Sequence, residues 1–133
     1  MAENNLSMPP SVAHPLLSAE VAQARAYQLD AVRAGLGANT LLVLPTGTGK
    51  TPIAWMVMAQ RLHEMREKYA SSSRAKSRPW ILMVAPTNPL VVQHQRDATR
   101  WLELGESEIV AMTGKISPQK RQPIYDDATV VIS

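Results

Sequence analysis

Eight consecutive residues, Leu44-Pro45-Thr46-Gly47-Thr48-Gly49-Lys50-Thr51, restrict this chain more than any other feature of it. An apolar run, Leu41-Leu42-Val43-Leu44, leads in, and a helix-forming stretch leads out from about Lys50. Strand, glycine loop, lysine, hydroxyl and helix, in that order, is the layout of a phosphate-binding loop. Gly47 and Gly49 have no Cβ, so the backbone there can curl and bring N–H groups close to phosphate oxygens. The following helix aims its free N–H groups and the positive end of its dipole into the same space. Lys50 adds a mobile charge for the outer phosphates, and Thr51 a hydroxyl able to ligate Mg²⁺. Leu44 stands where the strict pattern has glycine, while the Gly-x-Gly-Lys-Thr core is intact. The alternative these residues leave open is a plain glycine turn between a strand and a helix.

The 133 residues amount to one domain of chain or less. A hydrophobic content of 45% is ordinary for a globular core. No apolar run approaches the ~18 residues of a membrane span, so a membrane partner is not expected. Residues 1–10 lack the basic-then-apolar order of a signal peptide. The absence of cysteine excludes disulfides, zinc–thiolate sites and thiol catalysis. Together these features favour the cytoplasm. A net charge of +3 and a pI near 9.5 suit a polyanionic partner.

Along the chain, residues 1–17 carry Pro9, Pro10 and Pro15 and read as a mobile arm that settles only near His14-Pro15-Leu16-Leu17. Residues 18–133 read as one incomplete domain. Leu29, Val32 and Leu36 recur at helical spacing and predict a helix over residues 28–36, ended by Gly35, Gly37 and Asn39. Residues 41–44 predict a first, doubly buried strand. A helix over residues 50–69 would bury Trp55, Met58, Leu62, Met65 and Tyr69, and Tyr27 reads as packing. Residues 70–78 read as an exposed basic loop, and residues 80–85 as a second buried strand. Asn88 as N-cap and Pro89 as first helical residue open a helix that runs to Leu104 and stops at Gly105. A strand over residues 109–112, a Thr113-Gly114-Lys115 loop, a helix over residues 119–125 and a strand over residues 129–132 complete the order. Helices alternating with short apolar strands imply a parallel sheet covered on both faces. The glycine loop, Pro86-Thr87-Asn88 and Thr113-Gly114-Lys115 all follow strands, so they are expected along one functional edge.

With that order in place, Pro45-Thr46-Gly47-Thr48-Gly49-Lys50-Thr51 resembles motif I of superfamily 2 (DEAD/DEAH-type) helicases. Arg25-Ala26-Tyr27-Gln28 resembles the adenine-recognition element before it, and Ala85-Pro86-Thr87-Asn88-Pro89-Leu90 with Gln93 resembles motif Ia. Thr113-Gly114 resembles the next nucleic-acid contact. His14-Pro15-Leu16, the Leu-Pro-Thr-Gly form of motif I and Ala111-Met112-Thr113-Gly114 are similar to archaeal Hef and the eukaryotic Fanconi-type helicases. The resemblance implies a RecA-like, three-layer α/β fold that uses ATP and Mg²⁺. It further implies that Arg25 and Gln28 read adenine, that Pro45 to Thr51 hold the phosphates, and that Lys50 and Thr51 carry the catalytic and metal roles. Pro86, Thr87, Asn88, Gln93, Thr113, Gly114 and Lys115 would touch a nucleic-acid backbone, DNA rather than RNA. Taken alone, Arg25 and Gln28 better suit the start of a solvated helix, and Asn88 suits a cap with no ligand.

The family also needs an Asp-Glu acid pair at a strand end and a second RecA-like domain that supplies arginine to the γ-phosphate. Neither is found in these residues. Asp126-Asp127 precedes its strand, on the edge opposite the glycine loop, and His14, His63 and His94 lack metal-ligand spacing. The expectation is therefore the N-terminal, truncated part of a first RecA-like domain, poor in ATP turnover by itself. The motor subunit of a restriction system, an RNA-stimulated relative and a non-catalytic nucleotide-binding module remain as alternatives, above a generic nucleotide hydrolase as the floor.

Overall fold

The computed structural model describes residues 12–70 and 79–133. Most of the arm, residues 1–11, and all but Ala70 of the expected basic loop lie outside the described residues. Four α-helices, one short 3₁₀ turn and three strands are described: α1 (Ala26–Gly37), α2 (Lys50–Ala70), β1 (Ile81–Met83), α3 (Asn88–Trp101), the 3₁₀ turn Glu106–Glu108, β2 (Ile109–Ala111), α4 (Pro118–Asp127) and β3 (Val130–Ile132).

The sheet is all parallel in the order β1-β3-β2, with Ile81, Val130 and Ile109 in register across it. Placing β3 in the centre demands a segment that is apolar on both faces, and Val130-Val131-Ile132 is buried throughout. Its alternation sorts the two layers. Val130 and Ile132 face the main core with Trp55, Met56, Val91, Ala98 and Ile109, while Val131 faces a smaller cluster with Met112 and Ala128. The crossovers β1–α3–β2 and β2–α4–β3 are the helical connections that parallel pairing requires.

α3 buries Val91 and Ala98, two turns apart on one side, and directs charge outward on the other. α2 buries Ile53, Trp55, Met56, Ala59 and Leu62. On its outer face Gln60 and Arg61 both reach Glu64, and the Gln60 hydrogen bond, ahead of the Arg61 charge, holds the Glu64 carboxyl below the usual carboxylate range. Residues 14–17, where the arm is expected to settle, pack firmly, and the ordered packing begins earlier than expected, at Val12. Val12 N–H donates to the Ala22 carbonyl at 2.8 Å, Leu17 is buried and bridges to Leu102, and the His14 ring lies 2.9 Å from the Gln60 amide oxygen.

Several expectations need correction. Residues 41–44 are no strand: they pair with none of the described residues, and Leu41 and Val43 are 89% and 80% exposed. A doubly apolar strand is stable only between two neighbours, and β1, whose partner is β3, does not reach it. A cavity of about 430 Å³ lined by Gly35, Leu42, Ile53 and Val57 separates the segment from the helices. Within residues 80–85 the strand is shorter, Ile81–Met83, and only half-buried on its inner side, with Leu82 and Val84 exposed. The cap of α3 is Thr87, one residue early, because its extended backbone lets its hydroxyl accept from Leu90 N–H. That helix ends at Trp101, since the backbone turns extended at Leu102 to bridge Leu17, and Gly105 precedes the 3₁₀ turn. Gly35 lies inside α1, which runs to Gly37. The stripe on α2 is shifted: Met58 and Met65 are half-buried and Tyr69 is exposed, while Ile53, Met56 and Ala59 join Trp55 and Leu62 in the core.

Trp55 is 1% exposed and stacks edge-on against His94 at 6.1 Å. Truncating so large a buried ring loses transfer energy and leaves a cavity. Trp55→Ala is therefore expected to cost about 3–5 kcal/mol, read as a lowered urea midpoint with unchanged slope.

Candidate nucleotide and nucleic-acid site

The glycine loop sits where the sequence puts it, at the N-terminus of α2. Gly47 and Gly49 adopt φ of 81° and 86°, a region that L side chains rarely enter. A Cβ on Gly47 would meet open space, whereas one on Gly49 would lie 2.3 Å from Gln28 Nε2. The Thr48 hydroxyl donates back to the Pro45 carbonyl at 2.5 Å, which closes the turn. Pro45, Thr46, Gly47 and Lys50 are exposed, and Thr51 is half-buried in the first turn of α2. Among the described residues neither the Lys50 ammonium nor the Thr51 hydroxyl is engaged by another group. A loop of left-handed glycines, a free cation and a free hydroxyl at a helix start fit a Mg²⁺-bound polyphosphate by the chemistry of the donor set.

The start of α1 joins this loop. Gln28 is 7% exposed, accepts from Arg25 N–H at 2.8 Å and donates to the Gly49 carbonyl at 3.1 Å. The neighbouring Tyr27 hydroxyl donates to the Thr48 carbonyl, a contact that reading it as packing had missed. Gln28 thus joins the loop backbone to the cap of its own helix, with one N–H and one lone pair left over. The Arg25 side chain is exposed at the same corner.

The second group of expected residues gathers elsewhere. Asn88, Gln93 and Lys115 line one groove of about 630 Å³, together with Pro89, Val92 and Arg96. Pro86 and Gly114 are exposed beside it. The Thr87 hydroxyl is taken up by the helix cap, and Thr113 accepts from Lys115 N–H at 3.4 Å. Arg96 escaped the sequence reading. Its spacing of three from Gln93, on a helix already placed at the functional edge, is the signal that could have found it. No residue of the glycine loop lines this groove.

The DEAD/DEAH box helicase profile matches residues 25–133. The chain belongs to the DEAD/DEAH box helicase family. As a DEAD/DEAH helicase domain it has relatives that fit the same description. It is 36% identical over 122 residues to a Methanocaldococcus jannaschii protein named, provisionally, as an ATP-dependent RNA helicase, covering 92% of this chain and 14% of that one. It is 34% identical over 107 residues to the mouse Fanconi anemia group M protein homolog, covering 80% of this chain and 5% of that one. It is 31% identical to the ATP-dependent DNA helicase fml1 of Schizosaccharomyces pombe, covering 80% and 11%. The crystal structure of the Pyrococcus furiosus Hef helicase domain superposes with a TM-score of 0.74 at 37% identity, over 88% of this chain and 22% of that one. The RecA-like fold of this DEAD/DEAH domain is thereby established, and the chain spans a small share of each relative. No helix among the described residues is long and apolar enough to cross a membrane.

Both loop glycines adopt positive φ, so alanine at either costs backbone energy of about 1–2 kcal/mol. At Gly49 it also displaces the Gln28 amide. Gly49→Ala is expected to destabilise more than Gly47→Ala by about 1 kcal/mol, the net value of a hydrogen bond. The difference should vanish when both are measured in a Gln28→Ala background, which a double-mutant cycle in urea can check.

Proposed function

We propose that this chain is the ATP-binding part of an ATP-dependent DNA helicase or translocase that couples hydrolysis to movement on nucleic acid. The observation that carries the reading is the left-handed Gly47/Gly49 loop at the start of α2, with the Lys50 ammonium and Thr51 hydroxyl unengaged among the described residues. In this reading the free N–H groups of the loop and of the α2 N-terminus receive the phosphates, and Pro45, Thr46 and Thr48 shape the curl. Lys50 neutralises charge on the outer phosphates, and Thr51 holds Mg²⁺, which draws the phosphate oxygens together when bound. Arg25 would stack its planar guanidinium on adenine. Gln28 would offer the base its remaining donor and acceptor.

Pro86, Asn88, Gln93, Gly114 and Lys115, with Thr87 and Thr113 shaping their turns, would hold a nucleic-acid backbone. Such contacts position a strand without reading its sequence. The basic pI near 9.5 and the exposed Lys115 and Arg96 in one groove support a polyanion there. DNA is favoured because the mouse and fission-yeast relatives are a Fanconi anemia protein homolog and a DNA helicase by name. Ordering the attacking water and stabilising the transition state would fall to an acid pair and to an arginine of a second RecA-like domain, a contribution of about 10³–10⁵ in rate for the arginine. A cytoplasmic setting fits a chain without cysteine.

Lys50→Ala should reduce MgATP affinity by tenfold or more with an unchanged circular-dichroism spectrum, since Lys50 is an exposed charge and not core. Equal binding of ATP by the variant would sink the phosphate-loop assignment. Affinity for DNA should fall steeply with salt and vary little with base sequence, from counterion release at backbone contacts. A fluorescence titration over 50–200 mM salt reads this, and tighter binding of RNA than of DNA would move the reading to the RNA-stimulated relative.

A further inference from the structure

Two adjacent residues at the start of α1 hold two adjacent carbonyls of the glycine loop. The Tyr27 hydroxyl donates to the Thr48 carbonyl, and Gln28 Nε2 donates to the Gly49 carbonyl at 3.1 Å. A trans peptide is planar, with its C=O and N–H on opposite sides, and every described peptide bond here is trans. Holding the Thr48 carbonyl toward α1 therefore turns Gly49 N–H away from it. Holding the Gly49 carbonyl does the same for Lys50 N–H. These are the N–H groups at the junction of loop and helix, where an anion nest is built.

Glycine at 49 makes this control necessary. With no Cβ to restrict it, the Thr48–Gly49 peptide can turn over at little steric cost, and a turned peptide presents a carbonyl oxygen to the phosphates. Gln28 clamps one side of that glycine. The peptide before it is left to Tyr27. Packing does not account for Tyr27, a residue 44% exposed whose hydroxyl reaches the backbone of another element.

We propose that Tyr27 is a positioning residue of the phosphate site, its hydroxyl fixing the Thr48–Gly49 peptide so that Gly49 N–H faces the nucleotide. The assignment rests on the phosphate-loop reading given above. It makes the adenine-side helix an aligner of the phosphate-side backbone, independent of which base is bound.

Tyr27→Phe keeps the ring and removes the hydroxyl. The chain, this variant and Lys50→Ala are each titrated with MgATP and with inorganic tripolyphosphate, which has no base. Loss of one hydrogen bond predicts that Tyr27→Phe weakens both ligands alike, by about threefold to tenfold. In ligand-free ¹H–¹⁵N spectra the Gly49 amide resonance should shift or broaden while those of α3 stay in place. Wild-type affinity of Tyr27→Phe for both ligands overturns the proposal. So does a loss confined to MgATP, which would put the hydroxyl at the base. If wild type and Lys50→Ala bind tripolyphosphate equally, the phosphate-loop reading has failed, and the role of Tyr27 falls with it.

Discussion

The described structure depends on a single central strand. β3 pairs with β1 on one side and β2 on the other, and its three side chains are buried in both layers at once. Val130 and Ile132 tie the sheet to α2 and α3, and Val131 ties it to the side of α4. Thr129, just before the strand, extends this role. Its N–H donates to the Glu108 carbonyl at 2.8 Å and its hydroxyl to the Glu108 carboxylate at 3.0 Å, while Arg66 reaches that carboxylate from α2. Replacing any of the three β3 side chains with a polar one would leave an unpaired group in a layer with no water to receive it.

The two candidate patches are held by different means. The glycine loop is fixed from outside the sheet, by hydrogen bonds from α1, and α1 in turn packs on α2. The groove at α3 is fixed from inside the sheet, because α3 packs on β2 and β3 and the Lys115 loop leaves from β2. Backbone geometry therefore governs the glycine loop, and side-chain charge the groove, where Arg96 and Lys115 lie together.

Local chemistry was legible in the sequence, and pairing was not. The glycine loop, α2 and the Thr113-Gly114-Lys115 turn follow from residue type and spacing, since a glycine at positive φ or a lysine after it needs no distant partner. Residues 41–44 failed because a strand is a relation between segments. Their apolar pattern states a wish for neighbours without supplying them. The Thr87 cap was missed by one residue because Thr87 and Asn88 are both good caps and only the extended backbone at Thr87 decides between them. Tyr27 was missed because an aromatic at helical spacing reads as core, and nothing in a one-dimensional pattern shows where a hydroxyl points.

Among the described residues β1 is paired on one side only, with Leu82 in it and Val84 after it exposed, and Leu41 and Val43 are exposed on the segment before the glycine loop. Unpaired backbone donors beside bare aliphatic side chains are a template for intermolecular strand addition. A net charge of +3 offers little long-range repulsion against it. Colloidal behaviour is the consequence. Added salt would screen what repulsion there is, so such edges would meet more readily at high ionic strength than at low.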